Sequence, residues 1–272
     1  MTDLLDERYG PGTGKDVPAE ERATLQGMLA RGSCRAYKPD PVSDDVLRLL
    51  CAAALASPTK SDLQQRDILI VRDGALRSWF DGLFPDMPWI ADAPHFLIFL
   101  GNNRRQRQVH ELRGRSFVND HLDAFFNAAV DAGVALSAFV TAAEALGLGC
   151  CPVSAVRNYS DQASERLGLP DHVFPVCGLT VGRPVYPPRV SPRFPLDVTV
   201  HEDRFDEGDI AAEIDSYDTR RNGTRPFSSQ RRPDLFGEAG TYGWSEDKAR
   251  QYALPERADF GKFVLKKGFR LE

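Results

Sequence analysis

The 272-residue sequence predicts a mixed α and β protein in which short buried strands alternate with helices. Three apolar runs rich in branched and aromatic residues, at 67–72, 94–101 and 174–182, are typical of strands covered on both faces. Residues 119–147 are apolar on nearly every side of a helix, which indicates a helix that is buried all round. We therefore expect a large core with a central helix, packed within it or against a second subunit.

Capping residues indicate where several helices begin and end. Ser43 predicts an N-cap, because its hydroxyl can accept a hydrogen bond from the first turn, and two aspartates follow it. The expected buried face of this helix is Val46, Leu49, Leu50 and Ala53. Gly147 is expected to end the long helix, and Ser160 to cap a short helix that reaches Leu167.

Composition and charge disfavour several classes of protein. A net charge of −5 argues against nucleic-acid binding. The most apolar stretch, 134–148, contains Glu144 and is shorter than the about 20 residues of a membrane-spanning helix, so no membrane span is expected. MTDLLDERYG has no signal-peptide pattern. Five cysteines without framework spacing predict reduced thiols and a cytoplasmic location: Cys34, Cys51, Cys150, Cys151 and Cys177.

Changes in amino-acid composition along the sequence predict three parts of the chain. Residues 1–20 are rich in glycine, proline and charge and are expected to form a flexible leader. Residues 21–205 carry the alternating helices and strands of the core. Residues 206–272 are charged, arginine-rich and glycine-rich to about Gly243 and helical beyond it. Such an arm buries little apolar area alone, so we expect it to wrap another surface, such as a partner subunit.

The motifs of several enzyme classes are missing from the sequence. It has no G-x-S-x-G, no H-E-x-x-H, and no metal-ligand spacing among its five histidines. GPGTGK at 10–15 lacks the hydroxyl residue of a phosphate loop, and the glycines at 147–149 lack the third glycine of a dinucleotide fingerprint. An enzyme with this sequence is expected to use a bound organic cofactor.

Two arginines and a serine in five residues indicate an anion site. Arg31, Ser33 and Arg35 supply guanidinium and hydroxyl donors of the kind that bind phosphate. A solvated basic turn is the alternative, since arginine is mostly exposed.

Four segments in this order resemble the FMN-dependent nitroreductase family. They are RGSCRAY with the following PDPVSDDVLRLLCAA, ASPTKSDLQQRDILIV at 56–71, EALGLGCCPVSAVRN at 144–158 and LGLPDHVFPVCGLTVGRP at 167–184. The arm, with Tyr217, Trp244 and the closing KKGFRLE, is similar to that of the oxygen-insensitive NADPH nitroreductases and the flavin reductases of luminous bacteria, with an insertion at 226–241.

The resemblance implies an α+β fold, a three-layer α/β/α sandwich with a mainly antiparallel sheet and a C-terminal arm. It also implies a homodimer with FMN at the interface. NADPH, or less favourably NADH, would give two electrons to the flavin, and a small nitroaromatic, quinone or flavin acceptor would take them in a ping-pong cycle.

The resemblance further implies which residues bind FMN. From the first motif they are Arg31, Gly32, Ser33 and Arg35, and from a loop of the other subunit Ser57, Pro58, Thr59, Ser61 and Gln64. The remainder are Pro152, Val153, Ser154 and Ala155, whose backbone lies against the reactive flavin edge in relatives, and Arg193 at the phosphate.

Three positions depart from the family pattern. Gly32 stands where a bulkier or basic residue is usual, and Ser191 where lysine is common, so Arg189 is expected to compensate. Asp62 replaces an uncharged residue and either affects the acceptor or points to solvent.

Several assignments have alternatives. Arg35 is expected to favour the negative charge of the reduced flavin, and the alternative is a surface salt bridge. Ser154 is either at the flavin or only a turn residue. For Cys150 and Cys151 packing is favoured over redox activity.

The arginine-rich arm suggests the electron donor. Arg220 and Arg225 are expected to bind the 2′-phosphate of NADPH, and the alternative is a solvated loop. Two rival functions stay open: dehalogenase or flavin-fragmenting chemistry on the same scaffold, and a non-catalytic FMN-binding redox protein. No metal is expected.

Overall fold

The computed structural model describes residues 2–13 and 22–272. Its helices are α1 Thr2–Tyr9, α2 Arg22–Ala30, α3 Asp44–Leu55, α4 Gly74–Gly82, α5 Trp89–Asp92, α6 Arg104–Leu112, α7 Leu122–Ala145, α8 Ser160–Arg166, α9 Leu196–Thr199, α10 Ile210–Thr224, α11 Pro233–Phe236, α12 Trp244–Tyr252 and α13 Phe260–Lys266. Its strands are β1 Arg66–Val71, β2 His95–Asn102, β3 Gly149–Val153 and β4 Val173–Gly182. Short 3-10 helices cover Lys60–Asp62 and Ser154–Tyr159.

The chain comprises two compact units. The first contains Met1–Gly32 and Arg189–Glu256, and the second contains Ser33–Pro188 and Arg257–Glu272. These limits differ from the predicted boundaries after residues 20 and 205. The prediction of a flexible leader did not anticipate α1, and residues 14–20 of that leader, with the last two residues of GPGTGK, lie outside the described residues.

The second unit is built on a four-stranded sheet with the order β1-β2-β4-β3. Each neighbouring pair is antiparallel, with Ile68 opposite Phe99 in the first pair and Cys151 opposite Thr180 in the last. The predicted α+β class and the antiparallel sheet are therefore confirmed. The three predicted strands lie within one residue of their expected positions, whereas β3 was not predicted.

Helices cover both faces of this sheet. Leu97 and Phe99 of β2 pack with residues of α3 and α7. Phe96, Ile98 and Leu100 point to the other face and pack with α4, α5, α8 and the 3-10 helix at 154–159. The central strand is fully buried from Phe96 onward because its alternate side chains have a partner layer on each side.

Helix α7 crosses the unit and ends as the sequence predicts. Gly147 has φ of 72°, a left-handed conformation that glycine adopts without a steric cost, and Leu148 N donates to Ala143 O at 3.0 Å. One side of the helix, with Ala132, Ala135 and Phe139, is buried in the core. The other side of the helix is not buried in the core. The expectation that α7 is buried on all sides is therefore wrong within a single chain.

An apolar stripe lies on the open side of α7. Leu122, Phe126 and Val130, spaced four residues apart, are 50%, 59% and 45% exposed. By length and composition α7 is also able to cross a membrane, contrary to the expectation that no stretch is long enough. Its burial against the sheet is that of a core helix, and a single such helix is weak evidence for a membrane span.

Two local predictions need correction. Ser43 caps α3 as expected, accepting a hydrogen bond from Val46 N, but the buried residues of α3 are Leu47, Leu50 and Ala54, and Leu49 is 60% exposed. Ser160 is the first residue of α8 and not its cap, because its hydroxyl donates to Arg157 O at 2.9 Å.

The arm contributes to both units. Residues 257–272 pack on the second unit of the same chain, where Phe263 and Phe269 contact Phe174 of β4 and alanines of α7. In the first unit α10, which was not predicted, joins α12 through Asp218, whose carboxylate accepts hydrogen bonds from the backbone and hydroxyl of Ser245. The arm is therefore folded in a single chain.

Candidate functional site

The first motif lies along the free edge of β3 in the second unit. Cys34 N donates to Cys150 O at 2.9 Å, and Tyr37 Oη donates to Cys34 O and shares a second hydrogen bond with Thr180 Oγ1, both at 2.7 Å. These contacts fix the backbone on each side of Ser33 and Arg35. The structure thus places segment 33–35 beside Cys150 and Cys151, which directly precede the predicted segment 152–155.

Ser33 and Arg35 present their side chains at the surface of this edge. The Arg35 guanidinium lies 5.6 Å from the centre of the Trp89 ring. In the part of the chain that the structure describes, no carboxylate lies within ion-pair distance of Arg35, so the surface salt bridge considered above is not formed. Its positive charge is available to an anionic ligand.

The segment 152–155 turns from strand to helix beside these donors. Val153, the last residue of β3, is buried opposite Gly178, and a 3-10 helix begins at Ser154. Pro152 and Ser154 are exposed and Ala155 is half-buried. The backbone of this turn can therefore reach a ligand, while Val153 anchors it in the core.

A second polar segment, 57–65, precedes β1. The Ser57 hydroxyl donates to Ala54 O at 2.6 Å, and the Thr59 hydroxyl accepts from Gln64 N at 2.9 Å. Pro58, Ser61 and Gln64 are exposed. Asp62 Oδ1 accepts a hydrogen bond from Gln64 Nε2 at 3.2 Å at the surface. The side chains of Ser61 and Gln64 are thus the best placed of this group to meet a ligand.

A buried carboxylate that was not predicted holds this loop. Asp131 of α7 accepts hydrogen bonds from Thr59 Oγ1, Lys60 N and Gln65 N, at 2.5, 2.9 and 2.9 Å. Sequence offers one signal for it, since Asp131 is the only charged residue between Ala124 and Ala143.

The two polar segments lie at opposite edges of one sheet. The loop leads into β1, the 33–35 segment lies on β3, and β2 and β4 stand between these edge strands. With neighbouring strands about 4.8 Å apart, the two edges are separated by about 14 Å.

Gly32 belongs to the first unit, where it is buried against the backbone of Arg189. A Cβ atom at Gly32 would lie 2.3 Å from Arg189 O and 3.0 Å from Arg189 N. The backbone at 189 thus fills the space that a side chain at 32 would need. This close approach gives a physical reason for the departure from the family pattern, and the Arg189 side chain is exposed.

Arg8 of α1 ties the backbone around Arg31 to the 191–193 segment. Its buried guanidinium donates to Leu29 O at 2.6 Å, Arg31 O at 2.8 Å and Ser191 O at 3.4 Å. Burial lowers the pKa of Arg8, and the nearby positive charge of Arg193 acts in the same direction. The exposed Arg193 side chain donates to the carbonyls of its own neighbours, Ser191 and Pro192.

The arginines predicted to bind the nicotinamide cofactor make contacts within the first unit. Arg220 donates to Arg8 O at 3.0 Å and also to Arg193 O. Arg225 Nη1 donates to the hydroxyl of Ser191. Arg220 thus holds the backbone, whereas this contact of Arg225 is with a side chain.

The cysteines are free thiols in the structure, as the spacing predicts. Burial raises the pKa of Cys34, Cys51 and Cys151, and raises that of Cys177 to about 11. Contacts with Ser33 and Arg35 oppose the rise at Cys151. Raised pKa values disfavour thiolates at neutral pH, which supports packing over redox activity. Among the described residues no cluster of potential metal ligands is present.

The fold and these segments define a known class of flavin-linked oxidoreductases. The family model described as "Nitroreductase family" matches residues 28–183, and "Nitroreductase family, C-terminal domain" matches residues 191–272. The chain therefore belongs to the nitroreductase family and is an oxidoreductase of that family, which confirms the resemblance drawn from the motifs.

Individual relatives extend this result over most of the chain. The FMN reductase [NAD(P)H] of Bacillus subtilis is 29% identical over 251 residues, which is 91% of this chain and 98% of the relative. The oxygen-insensitive NADPH nitroreductase of Salmonella typhimurium is 31% identical over 67% of this chain and 74% of its own. The solved structure of NfrA2 from B. megaterium superimposes with a TM-score of 0.82 at 29% identity, covering 92% and 98% of the two chains.

Replacing Gly32 by alanine is expected to destabilise the protein. The new Cβ would overlap the backbone of Arg189, which costs about 1–3 kcal/mol of unfolding free energy. Gly27→Ala is the matched control, because a Cβ there meets nothing within 4 Å and alanine favours a helix by about 0.5–1 kcal/mol. Urea unfolding followed by circular dichroism measures both, and equal stability of Gly32→Ala and wild type would contradict the close contact.

Proposed function

We propose that this protein is an FMN-dependent oxidoreductase that transfers two electrons from NAD(P)H to a nitroaromatic, quinone or flavin acceptor. The observation that carries the proposal is Arg35, an exposed arginine without a carboxylate partner, held with Ser33 beside the 152–155 turn in a chain of this family. Guanidinium and hydroxyl donors beside an accessible backbone fit a cofactor with an anionic and a hydrogen-bonding end.

The residues of the chain supply binding and electrostatics. Arg31, Gly32, Ser33 and Arg193 are proposed to hold the FMN phosphate and ribityl end, with Arg189 supplying a further positive charge. Arg35 and the backbone of 152–155 would orient the ring, and Arg35 would stabilise its negative charge after reduction. Bound FMN supplies the two-electron chemistry, and no side chain of this chain is assigned a proton-transfer step.

A homodimer is proposed because the two polar segments of one chain lie at opposite sheet edges. In a dimer, Ser57, Pro58, Thr59, Ser61 and Gln64 of one chain would complete the site that begins with Ser33 and Arg35 of the other. The apolar stripe Leu122, Phe126 and Val130 and the exposed Leu49 support a subunit interface, since they are unfavourably exposed in a single chain.

NADPH is the preferred electron donor in this proposal. The relatives named for NADPH support it, as does the basic run of the arm. Arg225 Nη1 donates to the hydroxyl of Ser191, while Arg220 is bonded to backbone carbonyls.

The purified protein is expected to bind FMN and to lose its yellow colour with NADPH. Anaerobic stopped-flow absorbance should show bleaching faster with NADPH than with NADH, and recovery when a nitroaromatic or a quinone is added. Flavin that binds but is not bleached by either nicotinamide would instead indicate a non-catalytic redox protein.

Arg225→Ala is expected to raise the KM for NADPH about tenfold, because a charge-assisted bond to the 2′-phosphate is lost, and to change the KM for NADH by less than about twofold. Arg232→Ala is the control, since Arg232 is exposed and pairs with Asp234. Arg220→Ala is also expected to lower the free energy of unfolding, because Arg220 bonds two backbone carbonyls. Equal effects of Arg225→Ala on both donors would contradict the assignment.

Phe126→Asp is expected to convert a dimer into a monomer and to abolish FMN binding, since a charge would stand in the apolar stripe. Sedimentation velocity and flavin absorbance measure the two effects. Leu112→Asp, at the end of α6 and 80% exposed, is the control and should leave both unchanged. A Phe126→Asp protein that stays dimeric would rule out this face as the interface.

A further inference from the structure

The loop from Thr59 to Gln65 has an unfavourable backbone conformation. Ser61, Asp62 and Gln64 have φ angles of 47°, 54° and 52°, in the left-handed region that residues with a Cβ atom seldom adopt. Three such residues within four positions are not stable by local preference. Backbone strain of this kind persists only where the surroundings hold it in place.

The hydrogen bonds inside the loop are few. Leu63 N donates to Lys60 O, and Gln64 N to the hydroxyl of Thr59, both at 2.9 Å. The second of these bonds depends on the orientation of the Thr59 side chain, and that side chain is itself fixed from outside the loop.

Asp131 supplies most of the outside support, and Arg105 Nη1 adds a hydrogen bond to Gln64 O at 2.5 Å. Its side chain is 2% exposed, and its two oxygens accept from Thr59 Oγ1, Lys60 N and Gln65 N, which lie on each side of the left-handed residues. A carboxylate that accepts bonds from both ends of a loop fixes the distance between those ends. Hydrogen bonds to a charged acceptor are also the stronger ones.

Arg66 provides the compensating charge and holds the preceding residues. Its Nη2 donates to Leu55 O and Ser57 O, both at 2.8 Å, and its Nη1 lies 3.9 Å from Asp131 Oδ2. The buried Arg66 guanidinium thus holds the residues just before the loop, and the buried Asp131 carboxylate holds the loop itself. Both side chains are 2% exposed, so each charge needs the other.

The outer side of the same loop meets solvent. Lys60, Ser61 and Leu63 line a cavity of 340 Å³ with Phe117 and Asn127, and Ser61 and Gln64 are exposed. Two of the residues proposed to contact FMN, Ser61 and Gln64, therefore belong to the part of the loop whose backbone is least favourable by itself.

We propose that Asp131 is a positioning residue for the cofactor: its carboxylate keeps the backbone of 59–65 in the conformation that presents Ser61 and Gln64. The identity of the ligand rests on the proposed function, whereas the hold on the loop rests on the hydrogen bonds. Asp131 itself is inside the core and contacts no ligand in this assignment.

The experiment compares three variants with wild type. Asp131→Asn keeps the shape and removes the charge. Thr59→Val removes one of the three bonds to Asp131, together with the bond that Gln64 N donates to the Thr59 hydroxyl. It leaves the Asp131 and Arg66 charges intact and suits the extended backbone of residue 59, which has φ of −144°. Phe139→Leu is the matched control, since it lies in the core on the same helix and does not touch the loop.

Each variant is measured in three ways. Hydrogen exchange of the flavin-free protein follows the peptides that contain the amides of Lys60 and Gln65, a fluorescence titration gives the Kd for FMN, and thermal unfolding gives Tm. Asp131→Asn and Thr59→Val are expected to speed exchange in the loop and to raise the Kd about tenfold. Phe139→Leu should lower Tm and leave exchange in the loop and the Kd unchanged.

The double variant Asp131→Asn/Thr59→Val adds a stricter comparison. Because both changes act on the same hydrogen bond, their effects on the FMN Kd should be less than additive. Additive effects would mean that Thr59 and Asp131 act on the loop independently of each other, which contradicts the proposal.

The remaining outcomes separate this inference from the proposed function. A wild-type protein that binds no FMN overturns the proposed function, while loop exchange still decides whether Asp131 holds the loop. Asp131→Asn that lowers Tm without changing loop exchange or FMN affinity would make Asp131 a structural residue only. If Asp131→Asn does not fold, the Thr59→Val variant tests the proposal by itself. Unchanged hydrogen exchange of the loop in Thr59→Val would then overturn the proposal.

Discussion

The constraint on which the second unit depends is the cover of its sheet by helices on both faces. The side chains of β2 are buried from Phe96 to Leu100, alternately against α3 and α7 and against α4, α5 and α8. A sheet of this kind has no room for polar chemistry on its faces, because unpaired polar groups there would lose their hydration. Ligand-binding groups must therefore lie at its edges, and both candidate segments do.

Placing polar segments at edges also limits what one chain can bind. β1 and β3 are kept apart by two strands, so the loop before β1 and the residues beside β3 face different surroundings. A flat aromatic ligand that needs donors on two sides can obtain them when two such edges, from two chains, face each other. The proposed dimer would also cover the open apolar stripe on α7.

The arginines show why composition is a poor guide to a binding surface. Arg8 and Arg220 are directed at backbone carbonyls, and Arg231 pairs with Asp247. Asp247 offsets the charge of Arg231, and carbonyls occupy donors of Arg8 and Arg220, so a count of arginines overstates the donors that are open to a ligand. Arg35 differs because its neighbours at the β3 edge are a tryptophan, a thiol and a hydroxyl.

The sequence predicted those strands and helix ends that depend on the residues within them or next to them. Residues 67–72, 94–101 and 174–182 are strands because branched and aromatic residues dominate them, and Ser43 caps α3 through its own first turn. β3 was missed because two cysteines and Pro152 do not give a strand pattern, although an edge strand tolerates proline. The face of α3 was misassigned by one residue, since apolar residues occur on several sides of it.

The candidate site was predictable to the extent that it consists of consecutive residues. The segments 31–35, 57–64 and 152–155 were found from motifs, and the structure places 33–35 beside 152–155. Asp131 was not found, because its role depends on residues 66 to 72 positions away that only the folded chain brings to it. The close approach of Gly32 to Arg189 is equally a property of tertiary structure.

The left-handed backbone at Ser61, Asp62 and Gln64 also restricts how this loop can diverge. Glycine, asparagine and aspartate tolerate such φ angles, whereas valine, isoleucine and threonine do not. Substitutions that enlarge the loop with branched side chains are therefore disfavoured before any ligand is considered. Variation of this loop would therefore have to use small or unbranched polar residues.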